Sequence, residues 1–141
     1  MGEDTLRSVG IERTGLGRYE VKNVRGGTLA IGEGNDADFT PVELLLAAIG
    51  GCTAIDVDYI TSRRAEPGTF TVAVTGDKMR TPEAGNHLEN LQVTFTVRFP
   101  DGEEGDSARE ALPRAVKQSR DRLCTVSRTV EAGTPVRVEI D

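Results

Sequence analysis

The chain has 141 residues and a formal net charge of −6, with hydrophobic residues at 37%, aromatic residues at 4% and no tryptophan. A chain of this length folds as one domain, which we predict to span residues 1–141, around a core of aliphatic side chains. Because such a core is thin for its length, pairing with a second chain would stabilise it. The acidic charge and the absence of a clustered basic patch argue against nucleic acids and anionic membrane surfaces as partners.

The start of the sequence predicts a cytoplasmic protein. It carries charges at Glu3, Asp4 and Arg7 and has no apolar segment of the kind found in secretory signals. The longest apolar run, residues 44–55, is shorter than the roughly 20 residues that cross a bilayer. In a reducing compartment, two distant cysteines are more often catalytic, redox-sensing or simply buried than joined in a structural disulfide.

Two elements are predicted in the first part of the chain. Short β-branched and apolar segments separated by glycines over residues 6–33 indicate a three-stranded antiparallel meander. Thr40, Pro41 and Glu43 then have the spacing of a capping box with proline at the first helical position, so a helix is predicted from there to about Arg64. Because its first half is apolar on every face, we expect a central helix that is buried all round.

Gly50 and Gly51 lie inside this predicted helix. Each costs roughly 1 kcal/mol of helix propensity relative to alanine. We therefore expect something to pack closely against the helix backbone there, and an ordinary crossing of two helices explains the pair equally well.

Five further elements are predicted from periodicity: strands over residues 69–74, 91–99 and 135–140, and helices over residues 107–123 and 125–131. Pro113 lies inside the first of these helices and predicts a kink or a late start. Gly133 follows the second and closes it.

The two cysteines are the main candidates for chemistry. Cys52 lies about three turns into the central helix, where apolar surroundings would raise the pKa of its thiol, so reactivity requires a cation from elsewhere in the fold. Without one, Cys52 is a small core residue. Cys124 is flanked by Arg120, Arg122 and Arg128, which would favour its thiolate unless they are solvated and only flank a buried cysteine. On the residues alone, Cys124 is the more activated thiol.

Glu43 is a candidate general base or orienting carboxylate, or it only closes the capping box. Its separation from Cys52 corresponds to roughly 13 Å of helical rise and places the two on opposite sides of one helix. A shared site would take the carboxylate from a second chain or be assembled in another way. No metal or cofactor site is predicted, because His87 is the single histidine and the glycine pairs match no phosphate-binding loop.

Two motifs resemble those of one family. Residues 39–54 contain Pro-x-Glu-Leu at Pro41, an apolar run and Gly-Gly-Cys at Cys52, which resembles the signature of the OsmC/Ohr family. Residues 123–127, Leu-Cys-Thr-Val-Ser, are similar to that family's second cysteine motif. The resemblance covers nearly the whole chain. It implies an α+β OsmC-like fold, with antiparallel sheets packed on two long central helices of an intertwined homodimer.

The same resemblance implies a thiol-dependent peroxidase in oxidative or osmotic stress defence. A hydroperoxide would oxidise Cys52 to a sulfenic acid, Cys124 would resolve it to a disulfide, and an external dithiol would reduce the pair. Arg18 or Arg25, from the N-terminal strands, would pair with Glu43 and stabilise the first thiolate. The alternative is a non-enzymatic dimer of the same fold that binds a small apolar ligand, with both cysteines structural.

Overall fold

The computed structural model describes residues 5–141, and the chain divides into two compact units at Leu45 and Leu46. The first unit contains the predicted antiparallel meander, with β1 (Gly10–Gly15), β2 (Arg18–Lys22) and β3 (Thr28–Ile31) in that order. In the turn between β2 and β3, the side-chain oxygen of Asn23 accepts the N–H groups of Arg25 and Gly27 at 2.9 and 3.0 Å. This bonding pattern allows asparagine to build a tight turn.

Helix α1 (Pro41–Ser62) runs from the first unit into the second and begins with the predicted capping box. The N–H of Thr40 donates to the Glu43 carboxylate at 2.8 Å, and the N–H of Glu43 donates to the Thr40 hydroxyl at 3.2 Å. These reciprocal bonds satisfy donors that a helix start leaves unpaired.

In the second unit, β4 (Thr69–Thr81) and β5 (Gly85–Arg98) form an antiparallel ribbon. Both strands are confirmed, and both extend beyond the predicted bounds, so that Met79 lies opposite His87. The residues at the end of β4 are almost all exposed. Because neither face of the ribbon is buried there, the sequence carries no hydrophobic alternation that would mark the strands.

Helix α2 (Glu103–Gln118) covers the ribbon through a small core of Val97, Phe99 and Ala108. The helix begins before the predicted start, so Pro113 lies well inside it and does not delay it. A π-helical turn (Ser119–Leu123) follows, and then α3 (Thr125–Ala132), which ends as predicted at Gly133 with φ 65°.

The predicted close approach at the paired glycines occurs at Gly50 alone. A Cβ on Gly50 would lie 2.4 Å from Cγ2 of Val74, so α1 packs directly against β4 there. A Cβ on Gly51 would meet nothing within 4 Å. The neighbour is therefore a strand and not a crossing helix.

The prediction that α1 is buried on every side is wrong for the single chain. Ala47, Gly51, Ile55 and Tyr59 recur at every fourth position and are exposed, Ile55 at 60% and Tyr59 at 74%. We call these four residues the α1 stripe. A helix that is apolar on every face is expected to be packed against other elements on every face. One chain of this size packs against only some of these faces.

The predicted last strand is also wrong for the single chain. Residues 135–140 form no strand, and Val136, Val138 and Ile140 are exposed at 87%, 80% and 97%. Alternation signals the ability to pair along an edge, but within the described residues no edge pairs with this segment.

Candidate active site

The two cysteines meet in the second unit. Cys52 lies in the middle of α1 and Cys124 directly after the π-helical turn, and the two thiols are close enough for each to shift the pKa of the other. Both are free thiols. Cys124 is 0% exposed, whereas Cys52 is half-buried. The fold thus brings together two thiols, and Cys52 is the more exposed of the two residues.

The first turn of α3 supplies N–H donors to both sulfurs. Cys124 is the N-cap of α3, and its sulfur accepts the N–H of Ser127 at 3.4 Å. The Cys124 thiol also lies 3.3 Å from the Ser127 hydroxyl oxygen, to which it donates. The backbone N–H of Val126 is close enough to Cys52 to lower the pKa of its thiol. Because N–H groups at a helix start favour negative charge, this turn supports a thiolate in the pair.

The two thiols differ in acidity. Burial raises the pKa of Cys52, the N–H of Val126 opposes this, and the hydrogen bond to Cys124 raises it again, so the net shift is upward. Burial also raises the pKa of Cys124, but its interactions with the Ser127 hydroxyl, with Cys52 and with the Ser127 N–H outweigh this effect, and the net shift is downward. Both directions agree with the reasoning from sequence.

The cause of the lowered Cys124 pKa differs from the predicted one. The leading contributions come from Ser127 and Cys52, not from the flanking arginines. Arg128 pairs with Glu131 at 2.7 Å, and Arg120 is exposed. The sequence did contain the relevant signal, because Ser127 stands three residues after Cys124, the spacing of an N-cap and the N–H that its side chain accepts.

A buried hydrogen-bond chain lies beside the pair and was missed in the sequence. The hydroxyls of Thr53 and Ser119 are 2.7 Å apart, and the Ser119 hydroxyl donates to Oδ2 of Asp56 at 2.7 Å. The Asp56 carboxylate raises the pKa of both Cys52 and Cys124 through its charge. The available signal was the position of Asp56, one helical turn after Cys52.

A cavity of about 400 Å³ adjoins the pair through Thr53 and Ser127. Its apolar lining consists of Ile49, Leu91, Val93, Phe95, Val116 and Val130. Arg120 and Glu131 add one charge of each sign. Within residues 5–141, no three His, Cys, Asp or Glu side chains cluster in a way that would hold a metal ion.

The other three predicted site residues belong to the first unit. Arg18 pairs with Asp36 and with Asp38, the latter at 3.3 Å; the hydrogen bond with Asp36 raises the pKa of Arg18 and lowers that of Asp36. Arg25 lies in the β2–β3 turn. Glu43 closes the capping box. Their roles toward the cysteines stay predictions.

Comparison with known proteins identifies one family. The family model described as OsmC-like protein matches residues 33–139. An uncharacterized protein of Mycobacterium tuberculosis (strain H37Rv) is 30% identical over 132 residues, which cover 92% of this chain and 93% of that protein.

Solved structures of low sequence identity have the same fold. An OsmC-like protein of unknown function from Vibrio cholerae has a TM-score of 0.76 at 11% identity, covering 90% of this chain and 94% of its own. An organic hydroperoxide resistance protein, OsmC, from Legionella pneumophila has a TM-score of 0.56 at 16% identity, covering 89% and 90%. The fold is therefore the predicted α+β OsmC-like fold.

Proposed function

This chain belongs to the OsmC-like family, and we propose that it is a thiol-dependent peroxidase that reduces organic hydroperoxides in oxidative or osmotic stress defence. The observation that carries the proposal is the contact between two free thiols, Cys52 and Cys124, beside an apolar cavity. Two neighbouring thiols can supply the two electrons that reduce a hydroperoxide to an alcohol and water, and they become a disulfide without any cofactor.

In the proposed reaction, the Cys52 thiolate is the nucleophile and attacks the hydroperoxide. The Cys52 thiolate takes the terminal oxygen of the hydroperoxide, the O–O bond breaks, and the alkoxide leaves with the bonding pair and becomes an alcohol on protonation. The Cys124 sulfur then attacks the Cys52 sulfenic acid, which forms the disulfide and releases water. Exposure supports this assignment of roles, because Cys124 is 0% exposed.

Recycling by an external dithiol fits the acidity of the two thiols. The dithiol attacks the accessible Cys52 sulfur of the disulfide, and Cys124 leaves as a thiolate. Thiols of low pKa leave faster in thiol–disulfide exchange. The lowered pKa of Cys124 therefore supports its role as the resolving and leaving sulfur.

An organic substrate fits the cavity better than hydrogen peroxide does. Six of the eleven lining residues are apolar, and an apolar wall favours an alkyl group over a small polar molecule. The similar structure from Legionella pneumophila is that of an organic hydroperoxide resistance protein, which supports the same substrate class here.

A homodimer would complete the site. We propose that a second copy covers the α1 stripe and pairs with residues 135–140, which are apolar and exposed in one chain. Arg18 or Arg25, together with Glu43, would then reach the cysteines of the partner and lower the pKa of Cys52, which the single chain raises.

The proposed location is the cytoplasm. Helix α1 alone, among the described helices, is long and apolar enough by length and composition to cross a membrane, and 28% of its most apolar stretch is buried. The central helix of a dimeric soluble protein has the same composition. A cytoplasmic location also keeps both thiols reduced between turnovers.

One observation favours the non-enzymatic alternative, a dimer that binds a small apolar ligand. Burial raises the pKa of the Cys52 thiol, and Cys124 is completely buried. Both features are expected for cysteines that serve only as core residues. In this alternative the cavity holds the ligand and the thiols stay reduced.

Single-turnover consumption of cumene hydroperoxide by the pre-reduced protein separates the two functions. The peroxidase consumes one equivalent per chain, loses this with Cys52→Ser, and retains a single oxidation that stops at the sulfenic acid with Cys124→Ser. If the wild-type protein consumes no hydroperoxide while an apolar fluorescent probe binds the cavity, the alternative is correct.

A further inference from the structure

Ser119 contacts both halves of the cysteine pair. Its carbonyl accepts the N–H of Cys124 at 2.9 Å, the five-residue spacing that closes the π-helical turn. Its hydroxyl bonds to Thr53 and Asp56, both at 2.7 Å. Thr53 follows Cys52 directly, and Asp56 lies one turn further along the same helix. One residue therefore links the backbone of Cys124 to the helical turn that carries Cys52.

The hydrogen bonds of this link have a fixed direction. A hydroxyl has one proton, and Ser119 donates it to Oδ2 of Asp56, so the Thr53 hydroxyl donates to the Ser119 oxygen. Ser119 is 0% exposed and Thr53 is 6% exposed. Because water does not replace a buried partner, loss of the Ser119 hydroxyl leaves Thr53 and Asp56 without their shared bond.

The π-helical turn itself needs such support. A π-helical turn is rarer than an α-helical one and occurs mostly at functional sites. It holds one more residue than an α-helical turn, and one residue corresponds to roughly 100° around the helix axis. An α-helical continuation would therefore turn Cys124 away from Cys52.

We propose that Ser119, oriented by Asp56, is the positioning residue that aligns Cys52 and Cys124 for disulfide formation. This inference rests on the proposed redox role of the pair but not on the identity of the oxidant. With oxidised dithiothreitol, for example, two electrons and two protons pass from the two thiols to the reagent as the protein disulfide forms. Ser119 exchanges neither electrons nor protons with the sulfurs; it raises the effective concentration of one sulfur toward the other.

The equilibrium between the protein dithiol and a dithiothreitol redox buffer measures this alignment directly. We expect Ser119→Ala to reduce the equilibrium constant for disulfide formation by about tenfold, because misaligned sulfurs lose effective concentration. Asp56→Ala should act in the same direction, whereas Asp56→Asn keeps an oxygen that accepts the Ser119 proton and should restore most of the constant. The control is Thr61→Val, which removes a hydroxyl of a residue that is also 0% exposed; this hydroxyl donates to the Val57 carbonyl at 3.0 Å.

Equal constants for the wild type, Ser119→Ala and Thr61→Val would overturn the inference, and so would a wild type that forms no disulfide at any buffer ratio. Should Ser119→Ala not fold, the contrast between Asp56→Ala and Asp56→Asn decides the matter. If disulfide formation depends on Ser119 but the protein consumes no hydroperoxide, the positioning role of Ser119 is supported and the proposed peroxidase function is refuted.

Discussion

At the residue scale, the hydrogen bonds to each sulfur set its acidity. The Ser127 hydroxyl lowers the pKa of Cys124, and Ser127→Ala removes this hydroxyl but keeps the backbone N–H, so the variant should raise that pKa and move the formation of the first thiolate to higher pH. An ultraviolet titration of thiolate absorbance measures this. Thr129→Ala is the matched control, since Thr129 lies on the same helix and its hydroxyl bonds the Thr125 carbonyl. A Ser127→Ala titration that coincides with the wild type would contradict this account.

The charge of Asp56 acts in the opposite direction. It raises the pKa of Cys52 and of Cys124, so Asp56→Asn should lower both values and accelerate alkylation by iodoacetamide several-fold at neutral pH. Asp58→Asn removes a carboxylate from the same helix at an exposed position and should leave the rate unchanged. Slower alkylation of Asp56→Asn would refute this prediction.

Local chemistry at single residues was predictable where the interacting groups are close in sequence. The capping box of Thr40 and Glu43 is an example, because the two residues bond each other. The donors to Cys52 were not predictable, because Val126 lies far along the chain and reaches the sulfur only after α1 and α3 have packed. Periodicity contains no information on such contacts.

At the scale of elements, the two neighbouring glycines of α1 should respond oppositely to alanine. Gly50→Ala places a Cβ 2.4 Å from a Val74 methyl group, and such overpacking costs typically ~1–3 kcal/mol, against a helix-propensity gain of ~1 kcal/mol. Gly51→Ala meets nothing within 4 Å in the single chain and keeps only the gain. The free energy of unfolding from urea titration should therefore fall for Gly50→Ala.

The same pair of variants also reports on the α1 stripe. Gly51 belongs to it, so the added methyl group should weaken a dimer that packs on the stripe even while it stabilises the helix. Measuring the unfolding of Gly51→Ala at several protein concentrations separates the two effects. A Gly50→Ala protein more stable than Gly51→Ala would contradict the close packing of α1 on β4.

The helices and the paired strands were predictable because each has its own period and end signals. The π-helical turn was not predictable. It differs from an α-helical turn only in that the N–H of Cys124 bonds the carbonyl five residues back, at Ser119, and not four residues back. Residues 135–140 were predicted as a strand, and they have the right alternation but no edge within the described chain. The alternation of a strand specifies which side chains lie on the same face of a sheet. It does not specify the sheet edge with which the strand pairs.

At the scale of the whole molecule, the proposed dimer predicts the effect of a charge on the α1 stripe. Ile55→Arg should convert the dimer to a monomer in sedimentation equilibrium, because an unpaired guanidinium in an apolar interface is strongly unfavourable. Leu16→Arg is the control, since Leu16 is 87% exposed, more than Ile55, and lies outside the stripe. If both variants keep the oligomeric state of the wild type, the stripe is not the interface.

The arrangement of the whole molecule is the feature that is least predictable from the sequence. Composition indicated that the core is thin and that a partner would help, and the exposure of Ile55 and Tyr59 agrees with the need for cover. Which chain supplies that cover depends on surface complementarity, which no periodicity encodes.

The central claim is that Cys52 and Cys124 form a redox pair. Peptide mapping under non-reducing conditions, after one equivalent of cumene hydroperoxide, tests it most directly. We predict that each chain loses two hydrogen atoms in mass and yields one peptide pair joined through Cys52 and Cys124. Two thiols that stay reduced and react with alkylating reagents only after denaturation would contradict the claim.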